Sequence, residues 1–262
     1  MHTWKVYRSF LFSVLVLLFP TPLHAYRVVI IGDSHSEFLS GCEYGIFGAR
    51  LLEILKAKKY ETSLYAASGS SPIWWTDKVK RSSKTMGATV EVDGKRETPS
   101  FVPKLADIFR QQKLPVDLVV IEQGTNLLDE KRIQTDIPNP GQIKALVVAV
   151  APKTNALLWV GAPNYPEEVF NKKQQEALWI AIKDNVKGEK CHVYDSRFQP
   201  TPNADGQPVP SDYCGITSVK DGKIHIDSVH LCAKAAIAWA DGVGLMIDQI
   251  HNKSTDAAST HQ

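Results

Sequence analysis

The chain has 262 residues, 44% of them hydrophobic, with 30 basic and 28 acidic side chains. That apolar content is ample for a buried core and excludes disorder as the default state. Removing residues 1–25 takes away Lys5 and Arg8 and no acidic residue, leaving 28 basic against 28 acidic side chains. A formally neutral chain without basic runs has no electrostatic footprint for nucleic acid or for an anionic membrane surface.

Lys5 and Arg8 precede the apolar run Phe10 to Phe19 and a Pro-containing stretch ending Leu23-His24-Ala25. This is the layout of a secretory signal peptide over residues 1–25, with the mature chain starting near Tyr26 and the product periplasmic or secreted. An uncleaved N-terminal anchor is the competing reading, and the shortness of the apolar run counts against it. No second apolar stretch is long enough for stable membrane insertion after cleavage.

In chain order, "YRVVII" (26–31), "TSLYAA" (62–67), "DLVVIEQ" (117–123), "ALLWVGA" (156–162) and "HVYDS" (192–196) read as strands. The first, third and fourth are near-continuous Val/Ile/Leu runs, which implies burial on both faces. Residues 36–58, 103–112, 140–151, 167–187 and 232–251 read as helices between and after them. Alternating β and α predicts an α/β fold with a parallel sheet of about five strands and helices on both faces.

Two irregular stretches interrupt the alternation, 77–100 and 197–226; in the first, Asp93-Gly94 between alternating residues signals a two-residue hairpin. One domain over 26–251 and a flexible polar tail over 252–262 account for the rest, and a monomer is expected. Cys42, Cys191, Cys214 and Cys232 all lie in the mature part, an even count that suggests disulfides in an exported protein. Three connectivities are possible, and Cys214 with Cys232 is the best pairing. No Cys-x-x-Cys or His-x-x-x-His spacing occurs, so no metal is expected.

Ligands of an open parallel sheet bind outside the carboxyl ends of its strands. Gly32-Asp33-Ser34 follows the first strand, Ser68-Gly69-Ser70 the second and Gly124-Thr125-Asn126 the third, while Asp227-Ser228-Val229-His230 precedes the last helix. A serine hydroxyl needs a base, and the base needs a carboxylate to fix its tautomer. His230 and Asp227, three residues apart, supply that pair, whereas His35, His192 and His225 lack a carboxylate so placed. The backbone N–H groups of Ser34 and Gly69 and the amide of Asn126 are candidate oxyanion donors. Ser34 also suits the N-cap of the following helix, and Asp33 suits a side chain that shapes the turn.

The blocks "GDSHS" (32–36), "ASGSS" (67–71), "GTN" (124–126) and "DSVH" (227–230) resemble the ordered signature of the SGNH (GDSL-like) hydrolases. The resemblance spans essentially the whole mature chain. It implies a flavodoxin-like α/β/α sandwich, Ser34 as nucleophile, Gly69 and Asn126 in the oxyanion hole, His230 as base and Asp227 as its orienting group. The family often has Leu where His35 stands and Asp where Leu127 stands; the His form resembles extracytoplasmic members that act on O-acetylated glycans. An esterase needing no cofactor is the implied activity, with an O-acetylated cell-wall or extracellular glycan as substrate. An O-acetyltransferase with the same triad, a lysophospholipase or thioesterase acting on lipid, and a glycan-binding module without catalysis are the alternatives.

Trp74 and Trp75, just after the second block, are candidates to stack on a sugar ring. Tyr165, in "APNYP" after the fourth strand, and His35, beside the nucleophile, are the other candidate substrate contacts. Trp159, Trp179 and Trp239 fall on strand or helix faces and are assigned to the core.

Overall fold

Buried Val/Ile/Leu runs become the centre of a seven-stranded sheet in the computed structural model of the protein, which describes residues 25–37, 46–76, 88–99, 103–112, 114–128, 139–165, 167, 169–197, 216–220, 223–227, 230–231 and 233–259. Its strands are β1 (Arg27–Gly32), β2 (Glu61–Ala66), β3 (Thr89–Val92), β4 (Lys95–Glu97), β5 (Val116–Glu122), β6 (Thr154–Val160) and β7 (Cys191–Tyr194). They lie in the spatial order β4-β3-β2-β1-β5-β6-β7. The five from β2 to β7 in that order are parallel, and their winding is flavodoxin-like, with the direction of travel reversing between β1 and β5.

The hairpin of β3 and β4 is antiparallel and adds to the β2 edge. Its turn is Asp93-Gly94, both at positive φ (51° and 76°), as the sequence signal requires. The outer strand reads Lys-Arg-Glu and is fully exposed, so charge blunts the free edge.

The helices are α1 (Ile46–Ala57), α2 (Leu105–Gln111), α3 (Pro140–Val150), α4 (Lys172–Asn185) and α5 (Ala233–Ser259). One face of the sheet, with Val28, Ile30, Leu64, Leu118, Val120, Leu158 and Val160, buries itself under α1 and α5 through Phe47, Leu51, Leu55, Trp239 and Val243. The other, with Val29, Ile31, Val119, Ile121, Leu157 and Trp159, packs under α2, α3 and α4 through Ile108, Phe109, Leu146 and Trp179. Trp159, Trp179 and Trp239 are core residues, as their positions imply.

Asn139 and Asn171 set the starts of α3 and α4, each accepting a hydrogen bond from the backbone N–H two residues on (3.0 and 2.7 Å). Pro140 takes the first helical position of α3, where its missing N–H leaves no bond unmade. Three expectations are corrected. α1 begins at Ile46 and not at 36, and residues 34–36 form a separate turn. α5 runs to Ser259 across most of the expected tail, with Ser254 Oγ and Thr255 Oγ1 donating to the carbonyls of Ile250 and Asn252.

The third correction concerns 197–226, which holds part of an antiparallel pair, β8 (Ile216–Lys220) with β9 (Lys223–Asp227). Lys220 pairs with Lys223, so the connection is two residues long, and Asp221-Gly222 repeats in sequence the signal of the other hairpin. Cys191, on β7, is a free thiol. Cys42, Cys214 and Cys232, and with them the Cys214–Cys232 pairing, lie outside the described residues, as do residues 1–24 of the signal-like segment. Among the described residues no helix is long and apolar enough to cross a membrane.

Candidate active site

The reversal between β1 and β5 leaves a crevice at their carboxyl ends, and that is where the first and third blocks emerge. After β1 the chain makes one turn, in which the Asp33 carbonyl accepts from the N–H groups of Ser36 and Glu37 (3.1 Å each). Asp33 Oδ1 accepts from His35 N–H at 3.0 Å. Asp33 thus shapes the turn through its side chain, as its sequence position suggests, and no helix starts at Ser34, which stands in the turn itself and is 8% exposed.

Hydrogen bonds draw the other blocks to this turn. Asn126 Nδ2 donates to Asp33 Oδ2 at 3.1 Å and to the Ser70 carbonyl at 3.0 Å, so one amide joins the first three blocks. Both amide hydrogens are thus engaged, and Asn126 would have to surrender one to serve an oxyanion. Gly69 sits at φ +65° in the turn after β2, a conformation a Cβ disfavours. Glu37 Oε2 accepts from Ser68 N–H at 2.6 Å, and Gln123 Nε2 donates to Ser70 Oγ at 3.2 Å. From the fourth block, the His230 ring lies 5.0 Å from the His35 ring, centroid to centroid. Asp227 is the last residue of β9, paired with Ile216. The side chain of Asp227, and the Ser228-Val229 link, lie outside the described residues.

Two buried carboxyls underlie the turn that carries Ser34. Glu122, the last residue of β5, accepts from Asp33 N–H (3.1 Å) and from Ser36 Oγ (2.9 Å) through Oε2, while its buried Oε1 has no hydrogen bond among the described residues. Burial pushes Asp33 up to about 6, against the opposing pull of the His35 N–H, the nearby His230 charge and the Glu122 and Asn126 side chains. Burial and then the Asp33 charge push Glu122 well above the ordinary carboxylate range. The folded protein thus holds protons that the unfolded chain releases, so the Asp33 contribution to stability is present below the ordinary value of 3.8 and lost as pH rises through about 6, and Glu122 acts in the same direction. Glu122→Gln removes one of the two groups. The melting temperature of this variant relative to wild type is expected to rise between pH 5 and pH 8, and a constant offset would contradict the assignment.

Close approach fixes the same turn from the side. A Cβ at Gly48 of α1 would stand 2.5 Å from the Ser36 carbonyl oxygen and 2.9 Å from its Cα. Gly48→Ala is expected to destabilise the protein by about 1–3 kcal/mol, as thermal melting would show.

The candidate substrate contacts separate sharply. Trp75 is 0% exposed within the apolar layer under α2, α3 and α4, and so is a core residue and not a sugar platform. Trp74, its neighbour in the 3₁₀ turn Pro72–Trp75, is half-buried. Tyr165 and His35 are each 3% exposed and bond to each other. His192 lies on β7, in the sheet; burial, with the Lys253 charge, lowers its affinity for a proton.

Glu37, Gly48, Glu122 and Gln123 carry parts of the site that the motif blocks do not include. Of these Glu122 and Gln123 have a visible signal, two polar residues closing an apolar strand at its ligand-binding end. Among the described residues no group of three or more His, Cys, Asp or Glu is gathered to hold a metal ion.

No protein-family model and no curated protein matches the sequence. Solved structures do. A family two carbohydrate esterase from Clostridium thermocellum, in complex with cellohexaose, superposes with a TM-score of 0.52 at 13% identity, over 88% of this chain and 65% of that one. A protein provisionally described as an arylesterase from Agrobacterium tumefaciens superposes with a TM-score of 0.50 at 16% identity, over 86% of this chain and 99% of that one. At such identities the likeness is one of backbone architecture. The chain carries the three-layer α/β/α fold of these two structures.

Proposed function

We propose that the protein is an exported serine esterase of the SGNH type that removes O-acetyl groups from a cell-wall or extracellular glycan. The observation that carries this reading is the gathering of separate motif blocks around one turn: Asn126 bonds both to Asp33 and to the Ser70 carbonyl, and the His230 ring lies against His35, next to Ser34. A serine cap would need none of these partners.

In the proposed reaction Ser34 Oγ attacks the ester carbonyl carbon while His230 takes the hydroxyl proton, and Asp227 orients the imidazole. The backbone N–H groups of Ser34 and Gly69 stabilise the oxyanion, with Asn126 a third donor once it exchanges a present bond. Collapse breaks the bond from the carbonyl carbon to the alkoxy oxygen, and the imidazolium gives its proton to the leaving alcohol. Water then attacks the acyl-serine with His230 again as base, releasing acetate and restoring Ser34.

The substrate class rests on the signal-like leader and on the His form of the first block; Trp74, half-buried beside the second block, is the aromatic side chain available to a sugar. The test is acetate release from O-acetylated peptidoglycan and other acetylated polysaccharides by the purified protein. Acetate released in step with substrate supports the reading. Transfer of the acetyl group to an acceptor glycan without free acetate would make the protein an O-acetyltransferase, and hydrolysis of lysophospholipid or thioesters alone would move the substrate to lipid.

A further inference from the structure

Beside Ser34, His35 takes no part in the reaction above, yet its side chain is among the most constrained at the site. Its backbone N–H is held by Asp33 Oδ1, and its Nε2 lies 3.0 Å from the Tyr165 hydroxyl. That hydroxyl is 2.7 Å from Thr125 Oγ1, in the third block. Tyr165 is itself clamped: its N–H donates to Gln175 Oε1 and its carbonyl accepts from Gln175 Nε2, both at 2.9 Å, while the same amide reaches the Phe170 carbonyl at 2.7 Å. The segment after β6 is thereby tied through Tyr165 to the turns after β1 and β5. With Nε2 so occupied, the His35 ring lies against the His230 ring, at 5.0 Å and 49°, and meets Trp239 edge-on at 5.4 Å.

We propose that His35 is a positioning residue whose ring, locked by the Tyr165–Thr125 hydroxyl pair, sets the orientation of the His230 ring. The inference rests on the reading of His230 as the base, since a misplaced base is costly only if it must meet the Ser34 proton. His35 is 3% exposed, and its Nε2 is engaged by Tyr165. Its effect is therefore on the reaction step and not on binding. A displacement of about 1 Å at a catalytic group lowers rate by up to a hundredfold.

The test uses the full chain and a small acetyl ester. His35→Leu keeps an apolar side chain and removes the bond to Tyr165; Tyr165→Phe removes the same bond from the other side and keeps the ring. Each is expected to lower kcat by about ten- to a hundredfold with KM within about twofold of wild type. The double variant is expected to be no slower than His35→Leu alone, because both changes break one linkage. A rise in KM at unchanged kcat, or losses that multiply, would overturn the proposal.

A second measurement does not need turnover. The His230 ring signals in the NMR spectrum, identified by their loss in His230→Gln, are expected to shift in Tyr165→Phe, and unshifted signals would overturn the linkage. If wild type hydrolyses no ester while those signals do shift, the esterase reading fails and the linkage stands. His35→Leu bears on the folded site where its melting temperature stays near that of wild type; where it does not, Tyr165→Phe carries the kinetic test.

Discussion

Ser34→Ala is expected to lower turnover of a small acetyl ester by about a thousandfold or more, with the fold intact. Ser34 is nearly buried in a turn whose hydrogen bonds run through the backbone and through Asp33, Ser36 and Glu122, so loss of its hydroxyl leaves that network in place. Circular dichroism and the melting temperature should therefore match wild type. His230→Ala is expected to cost about as much as Ser34→Ala, and the double variant no more than either, because the two side chains act as one unit. What remains in each case is the rate supplied by the oxyanion donors and by binding alone. Rates that fall in proportion in the double variant would separate the two residues and remove the basis for pairing them.

Trp239→Ala is expected to lower stability by about 3–5 kcal/mol, the range for deletion of a large core aromatic. The Trp239 side chain, on α5, is wholly buried, its ring 4.2 Å from that of Phe47 on α1 and 5.4 Å from that of His35. Its Nε1 donates to Ser196 Oγ at 2.9 Å, in the turn after β7, so deletion opens a cavity and strands a buried hydroxyl. Trp239→Phe fills most of the space and loses the hydrogen bond, with an expected cost of about 1–2 kcal/mol. Urea unfolding measures both, and an alanine variant within about 1 kcal/mol of wild type would contradict the packing. Because the same ring backs His35, the alanine variant should also lose activity at temperatures where it remains folded.

Much of the architecture is legible in the sequence because its cause is local. A Val-Val-Ile-Ile run has no polar side to give to water, so it is a central strand, and the turn residues Asp93-Gly94 leave one compact way to connect their neighbours. The blocks were legible as chemistry because each stands at the end of a strand or before the last helix, and the order β2-β1-β5 brings the first three to one end of the sheet. What the sequence withholds is direction. Trp74 and Trp75 are identical neighbours, and only the 3₁₀ turn decides that the second enters the core. Asp33 and Ser34 can both bond to nearby backbone, and Asp33 shapes the turn because its Oδ1 meets the His35 N–H.

The roles of Glu122, Gly48 and Tyr165 arise from neighbours 86, 12 and 130 residues away in the chain, at Ser36, Ser36 again and His35. No periodicity carries such distances. The buried carboxyls also show where the fold yields stability to the site: Glu122 and Asp33 are desolvated together so that the turn after β1 has acceptors on its inner side.

The central claim is that Ser34 is a nucleophile activated by His230. It is tested most directly by treating the intact protein with a fluorophosphonate and locating the adduct by peptide mass spectrometry. The account predicts a single adduct on Ser34 that is lost in Ser34→Ala and forms at least a hundredfold more slowly in His230→Ala. An unlabelled protein, an adduct on another residue, or labelling of Ser34 at an unchanged rate without His230 would contradict it.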